Sequence, residues 1–275
     1  MTQLFALASA ALFGVSDFTG GLATRRLHPW VVAAWSQLIG VPILVIGLLV
    51  VAAPEVHRSD LVWGAVGGVF GVVGLAIMYA TLAAGVMSVI APIIGAGAAG
   101  IPVLWAVTTG ESIDAMQWIG IATGGVAVAL LSFQPGSGRM SRKLVVQALI
   151  AAFGFAIFFI ALGQTNESSG LWPLVAARSL TIPIAFVMLT IRRPTTRVPR
   201  GSWGLVTTTG MFDMAANVAI VLAVQRGPLG VNAVLGSLYP VFTIAAAIVV
   251  LKERPTKLQL AAMALALTAI LLLAL

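Results

Sequence analysis

The amino-acid sequence predicts an all-α membrane protein with ten transmembrane helices, arranged as two inverted five-helix repeats. Three observations support this fold class. Hydrophobic residues make up 60% of the chain and charged residues only 8%, the apolar residues fall into ten stretches, and the second half repeats the first. Soluble domains carry about 25% charged residues, so most of this surface must face lipid.

Charged residues and Pro/Gly clusters separate the ten stretches, each close to the roughly 20 residues that a helix needs to cross a bilayer. Backbone polar groups in lipid must bond within their own segment, so each stretch is expected to be helical. No Lys or Arg precedes the first stretch, so it is expected to be a retained helix rather than a signal peptide. The predicted spans are 3–22, 30–52, 61–82, 86–108, 115–133, 144–163, 171–191, 202–225, 229–250 and 257–275.

Lys and Arg are distributed unequally between the connectors. Twelve of them lie in connectors that follow odd-numbered spans, and only Arg58 and Arg226 lie in connectors that follow even-numbered spans. Positively charged connectors stay in the cytoplasm. We therefore expect a multi-pass protein of the cell (plasma) membrane with both termini on the non-cytoplasmic side. This bias also accounts for the net charge of +7 without nucleic-acid binding.

The second half of the chain repeats the first at an offset of 142 residues. Three positions recur at this offset: Gly85, Glu111 and Gln117 match Gly227, Glu253 and Gln259. Because five spans are an odd number, the second copy enters the membrane from the opposite side. The repeats are predicted at 1–134 and 140–275, and such inverted repeats are typical of proteins that open alternately to each side. A static scaffold is the alternative.

The sequence around the two repeated glutamates resembles a known family. Gly110-Glu111 followed by Gln117, its copy at 252–259, and the opening segment 12–18 are similar to the EamA-type ten-helix branch of the drug/metabolite transporter superfamily. The resemblance implies a central cavity lined by spans 1, 3, 4, 6, 8 and 9. Members move amino acids, nucleotide-linked sugars, metabolites and drugs, so it implies no particular substrate. Many members are thought to have cytoplasmic termini, whereas the charge bias here is reversed, so a transport direction does not transfer.

Residues typical of enzymes are missing from the sequence. The chain has no cysteine, and its two histidines, His28 and His57, fall in connectors on opposite faces. It also lacks the short motifs of zinc proteases, phosphate-binding loops and serine hydrolases. We therefore expect no enzyme activity, no cofactor and no metal. An intramembrane lipid-handling protein or a non-transporting scaffold remains the alternative to a transporter.

A few polar residues lie inside the predicted spans, where a charge costs at least ~2.5–3.5 kcal/mol at mid-bilayer. Asp213 is about eleven residues into span 8, with Asn217 on the same helix face, and Arg178 in span 7 approaches its depth. Asp213 is expected either to bind a proton or a substrate cation, or to form a structural ion pair with Arg178. For Arg178, contact with an anion is the alternative to this pair. Asp17, with Ser16 beside it, is either a second site residue or a helix-end contact.

Aromatic residues and helix breakers complete the candidate site. Prolines and glycines between Pro92 and Pro102 in span 4, and Ser237, Tyr239 and Pro240 in span 9, predict paired breaks at matching depth. Four phenylalanines crowd span 6 at 153, 155, 158 and 159, of which one or two are expected at the cavity. The further candidates are Trp35, Gln37, Tyr79, Phe153, Ser237 and Tyr239.

These features together predict a secondary active transporter of small organic solutes, a metabolite, amino-acid-like or drug-like exporter that works by alternating access. Proton coupling would pass through Asp213 or Asp17. Glu111 and Glu253 are expected to tie helix ends together through backbone groups and basic partners. The expected partners are a small-molecule substrate, the lipid bilayer and a proton, and a homodimer is left open.

Overall fold

The computed structural model describes residues 1–83, 87–132, 142–252 and 256–274, and within these ranges the chain is helical and forms no strand. Single 3-10 turns at Glu167–Ser169 and Arg200–Ser202 precede the seventh and eighth helices. Four residues of the repeat and of the charge bias lie outside the described residues: Gly85, Arg139, Glu253 and Arg254. The helices are α1 (Thr2–Thr24), α2 (Pro29–Val50), α3 (Arg58–Ala83), α4 (Met87–Thr108), α5 (Ala115–Ser132), α6 (Arg142–Gly163), α7 (Trp172–Arg192), α8 (Trp203–Arg226), α9 (Leu229–Gly236), α10 (Tyr239–Leu251) and α11 (Lys257–Ala274).

The helices begin and end where local sequence requires it. Pro29, Pro173 and Pro240 each stand in the first turn of a helix, where a missing N–H costs nothing. The helices α7 and α10 end on left-handed residues, Arg193 with φ 47° and Lys252 with φ 55°. Both ends carry a positive charge, which suits the negative end of a helix dipole.

Seven helical segments of the described chain are long and apolar enough to cross a membrane: α1, α2, most of α3, α6, α7, α8 with its preceding turn, and Leu229–Leu251. Two shorter apolar helical segments, Ile94–Thr108 and Leu260–Ala269, accompany them. Large apolar side chains such as Leu49, Val249 and Leu104 point outward, with 82%, 76% and 67% of their surface exposed. Such an exterior suits lipid and not water.

The two predicted helix breaks have different outcomes. Span 9 is interrupted, because α9 ends at Gly236 and α10 begins at Tyr239. The predicted break in span 4 is wrong, because α4 runs without interruption from Met87 to Thr108 and includes Pro102. A proline removes one backbone hydrogen bond, and neighbouring helices can hold the remaining turns in register. The same holds for α2 and α7, which continue through Pro42 and Pro183.

Most close helix packing joins the two halves of the chain. The helix α1 packs on α8 and α3 on α6, α2 packs on α8 and α3 on α7, and α5 packs on α11. When the two halves are exchanged, the contact of α1 with α8 becomes that of α6 with α3, and the contact of α2 with α8 becomes that of α7 with α3. Glycines permit the closest approaches: a Cβ atom at Gly68 would lie 2.7 Å from Cα of Ala177, and one at Gly210 would meet the Ser36 carbonyl. Gly68 and Gly210 are separated by the repeat offset of 142.

Hydrogen bonds join the connectors on one face of the bundle. Asp60, fully buried in the first turn of α3, accepts hydrogen bonds from Ser169 Oγ at 2.7 Å and from the Asn166 N–H at 3.0 Å. On the same face, Arg226 at the end of α8 contacts Glu167 at 2.9 Å. These bonds tie the start of α3 to the connector between α6 and α7. On this face, these contacts join the two halves of the chain.

Candidate functional site

A cavity of about 730 Å³, part of it open to the outside, lies between the two halves. Its walls come from α1, α3, α4, α6, α8 and α10, as the resemblance implies, and also from α2 and α7. The mixture of many apolar with few polar groups is typical of small-molecule sites. The residues that line it are Phe13, Asp17, Gln37, Gly68, Gly71, Val72, Leu75, Ala98, Phe155, Phe158, Phe159, Leu174, Ala177, Arg178, Thr181, Asp213, Asn217 and Tyr239.

Arg178 of α7 stands at the centre of the polar wall. Its Nη2 donates to Asp213 Oδ2 at 2.7 Å, and its Nη1 donates to Gln37 Oε1 at 2.7 Å. The side chains of Arg178 and Asp213 are each only 12% exposed. Thr181, one turn after Arg178 on the same helix face, donates a second hydrogen bond to Gln37 Oε1. The network therefore joins α2, α7 and α8 through charge-assisted bonds, which are the strong ones.

The i, i+4 spacing of Asp213 and Asn217 places both on the cavity face of α8. Asn217 Nδ2 donates to the backbone carbonyl of Asp213 at 2.6 Å, so its amide is held against its own helix. Both residues are at least nine-tenths buried, with 9% and 5% of their surface exposed. Asn217 thus fixes the local geometry of the Asp213 turn while facing the cavity.

Asp17 of α1 differs from Asp213, because no described residue pairs with its carboxylate. It lines the cavity, only 7% of its surface is exposed, and it makes no hydrogen bond or ion pair with any described residue. Its neighbours on α1 are used for helix packing instead: Ser16 Oγ donates to the Thr209 carbonyl of α8 at 3.1 Å. The structure thus separates Ser16, which holds α1 on α8, from Asp17, which faces the cavity.

Aromatic rings form much of the apolar lining of the cavity. Phe155, Phe158 and Phe159 of α6 line the cavity together with Phe13 and Tyr239. The three α6 rings share one helix face because their spacing is i, i+3, i+4. The expectation of one or two phenylalanines of span 6 at the cavity was therefore too low.

Several sequence candidates lie outside the cavity. Phe153 is 49% exposed and packs edge-on against Phe70 with centroids 6.3 Å apart, since two residues of helix turn it away from the Phe155 face. Trp35 packs edge-on against Phe186 and Trp203 at 5.8 and 5.4 Å. These aromatic side chains serve helix packing or the lipid face.

Tyr79 and Ser237 are also placed away from the cavity lining. Tyr79 is fully buried against α1, where a Cβ atom at Gly20 would lie 2.8 Å from its ring. Ser237 Oγ donates to the Val234 carbonyl at 2.8 Å, so it caps the break between α9 and α10. Of the predicted candidates, the structure brings together Asp17, Gln37, Arg178, Asp213, Asn217 and Tyr239 at one cavity.

The sequence reasoning missed Thr181, Phe13 and the glycine-lined part of the wall. Thr181 carried a signal, because it follows Arg178 by three residues and so shares its helix face. No sequence signal marked the wall formed by Gly68 and Gly71, since small residues in a membrane helix are common at packing faces.

Glu111 lies at a helix junction away from the cavity. Its two carboxylate oxygens accept hydrogen bonds from the Leu229 and Gly230 N–H groups, each at 2.9 Å. These N–H groups begin α9, where a negative charge is favourable. The carboxylate therefore ties the connector after α4 to the start of the broken ninth span. No group of three or more acidic or histidine side chains that could hold a metal ion occurs among the described residues.

Comparisons with known proteins agree on the fold. A model of the EamA-like transporter family matches residues 1–133 and 142–275. A protein of known crystal structure is similar with a TM-score of 0.77 and 16% sequence identity, over 98% of this chain and 95% of the other. At this identity, the likeness concerns the fold alone. No curated protein matches the sequence significantly.

Proposed function

The chain belongs to the EamA-like transporter family, a multi-pass membrane family, and we propose that it is a secondary active transporter of small organic solutes. The observation that carries the proposal is the cavity between the halves, where Arg178, Asp213 and Asp17 face aromatic rings. Such charges are expensive at membrane depth and mark solute or ion pathways. Members of the family are transporters and not enzymes.

The proposed mechanism is alternating access by two inverted repeats of five helices each. Support comes from helix packing, in which α1 on α8 and α6 on α3 are equivalent pairs once the halves are exchanged. The break between α9 and α10 and the apolar helices of near-span length are consistent with ten spans. Rocking of one half against the other would then open the cavity first to one side and then to the other.

Proton coupling at Asp17 is part of the proposal. The negative charge of Asp213 is already balanced by Arg178 in an ion pair at 2.7 Å, whereas Asp17 has no such partner among the described residues. An unpaired carboxylate in a mostly apolar cavity is stabilised by binding a proton or a cation. Asp17 is therefore the residue that we assign to the coupling step, and Asp213 the residue that positions Arg178.

The proposed orientation places the basic connectors, and with them the start of α2 and the end of α7, in the cytoplasm of a plasma-membrane protein. Both termini would then lie outside, on the face where Asp60 joins α3 to the connector between α6 and α7. An active carboxy-terminal reporter that folds only in the cytoplasm would contradict this orientation. Labelling of single cysteines by an impermeant reagent is a second check, made simple because the chain contains no cysteine.

Solute flux into proteoliposomes tests the proposed function. Purified protein is reconstituted into lipid vesicles, and the vesicles are loaded with a metabolite extract. Mass spectrometry then follows the exchange of individual solutes across the membrane. We expect at least one organic solute to move, and Asp17→Asn to abolish its dependence on a pH gradient. Asp114→Asn, which changes an exposed carboxylate in the connector before α5, is the matched control. A preparation that is folded but moves no solute would refute the proposal.

A further inference from the structure

We infer that the cavity binds an amphipathic organic cation, an aromatic or aliphatic amine, through Asp17. The inference rests on the proposed transport function and names its substrate class. It follows from the charge balance of the cavity, the way in which Arg178 is occupied, and the side chains that surround Asp17.

The charged groups of the cavity do not balance. Its lining holds two carboxylates, Asp17 and Asp213, and one guanidinium, Arg178. Arg178 is paired with Asp213 at 2.7 Å, so the carboxylate of Asp17, whenever it is ionised, has no counter-charge among the described residues. A buried charge without a partner is costly, and a cationic ligand removes that cost directly. A neutral or anionic ligand does not.

The occupied guanidinium argues against a ligand carboxylate. Both terminal nitrogens of Arg178 already donate, one to Asp213 and one to Gln37, at 2.7 Å each. The remaining Nε is buried and makes no hydrogen bond, so it offers no surface to the cavity. Each terminal nitrogen keeps one further N–H, but the single positive charge of Arg178 already balances Asp213. The carboxylate of a zwitterion would therefore share this guanidinium and add a third carboxylate to the cavity, whereas a monoamine adds none.

The walls around Asp17 suit the apolar part of such an amine. Phe13 lies one helical turn before Asp17 on the same face of α1, and Phe155, Phe158 and Tyr239 line the same cavity. Aromatic faces attract cations and pack against apolar groups. The lining is mostly apolar, which suits the hydrocarbon part of an organic amine and not a hydrated inorganic cation. The ligand class is therefore an organic amine and not an inorganic cation.

Four ligands that share a phenyl group on a short chain test the inference by titration calorimetry on purified protein in detergent. They are phenethylamine, phenethyl alcohol, phenylalanine and hydrocinnamate. They present a cation, a neutral group, a zwitterion and an anion on the same phenyl group. A charge-assisted bond to Asp17 is expected to make phenethylamine bind about 10- to 100-fold more tightly than the alcohol. Equal or weaker binding of the amine than of the alcohol or of phenylalanine overturns the inference.

Variants then assign the effect to Asp17. Asp17→Asn is expected to reduce phenethylamine affinity to that of the alcohol, Asp17→Glu to retain most of it, and Asp114→Asn to leave it unchanged. A folded Asp17→Asn protein with full amine affinity overturns the assignment. If that variant does not fold, the inference is tested by the four-ligand series on the wild-type protein and by the amine affinity of Asp17→Glu. Saturable amine binding without flux would refute the proposed transport alone, whereas flux of neutral solutes without amine binding would refute this inference alone.

Discussion

The ion pair between Arg178 and Asp213 gives the sharpest prediction about stability. The two side chains are each 12% exposed and lie 2.7 Å apart, and Arg178 also holds Gln37. Removing one partner of such a buried pair costs about 3–5 kcal/mol of unfolding free energy, because the other charge is left without compensation. We therefore expect Arg178→Met and Asp213→Asn each to destabilise the protein by an amount in this range.

The double variant separates the pair from its surroundings. Opposite charges about 4 Å apart attract by about 4 kcal/mol at an effective dielectric constant near 20. The asparagine variant keeps some hydrogen bonding to Arg178, so we expect a coupling free energy of about 2 kcal/mol, within the usual range for contacting residues. The double variant would then be more stable than the sum of the single losses predicts. Equilibrium unfolding in mixed micelles with increasing dodecyl sulfate measures all four proteins.

The chain provides an internal control for this cycle. Arg226 and Glu167 form a pair of the same chemistry at 2.9 Å, but their side chains are 36% and 60% exposed. Water and salt screen such a pair, so its coupling should stay below about 1 kcal/mol. Additive single effects at Arg178 and Asp213, with a coupling below about 0.5 kcal/mol, would show that the buried pair is not an energetic unit and would refute the reasoning.

Three further predictions concern helix junctions. Gly210→Ala should lower stability by about 1–3 kcal/mol in the same micelle assay, because the new methyl group meets the α2 backbone; Gly204→Ala, in open space on the same helix, should not. Glu111→Gln should lower it by about 1 kcal/mol through weaker capping of α9, and an unchanged melting temperature would contradict this. Asp60→Ala should raise maleimide labelling of Ser168→Cys about tenfold by releasing the connector held at Asp60; equal labelling rates in both backgrounds would argue against that role.

The sequence alone was sufficient for properties that belong to a single helix. The seven described segments that are long and apolar enough to cross a membrane lie where length and composition predict them, and the break in span 9 follows from Ser237 and Pro240. The approach of Arg178 to Asp213 follows from their depths, since two helices that enter from opposite sides meet at calculable heights. The structure contains the Arg178–Asp213 ion pair, whereas Asp17 has no such partner among the described residues.

Properties that depend on neighbouring helices could not be predicted in this way. Trp35 and Gln37 are two residues apart and point to nearly opposite faces of α2, and only the packing of α7 and α8 decides that Gln37 faces the cavity. Phe153 and Phe155 form a second such pair on α6. The continuity of α4 through Pro102 also depends on the helices around it. A pattern of residue types indicates a helix face, but the neighbouring helices determine which face lies towards the cavity.

The polarity of the cavity is set by how the two halves have diverged at equivalent positions. At the offset of 142 residues, Gly71 and Leu75 of α3 correspond to Asp213 and Asn217 of α8, and all four residues line the cavity. The same two helix positions thus give an apolar wall in one half and a polar wall in the other. A ligand with one charged end cannot bind equally well in two orientations related by exchange of the halves. For the amine proposed above, we expect the charged end to lie towards Asp17, so that the ligand binds in one orientation.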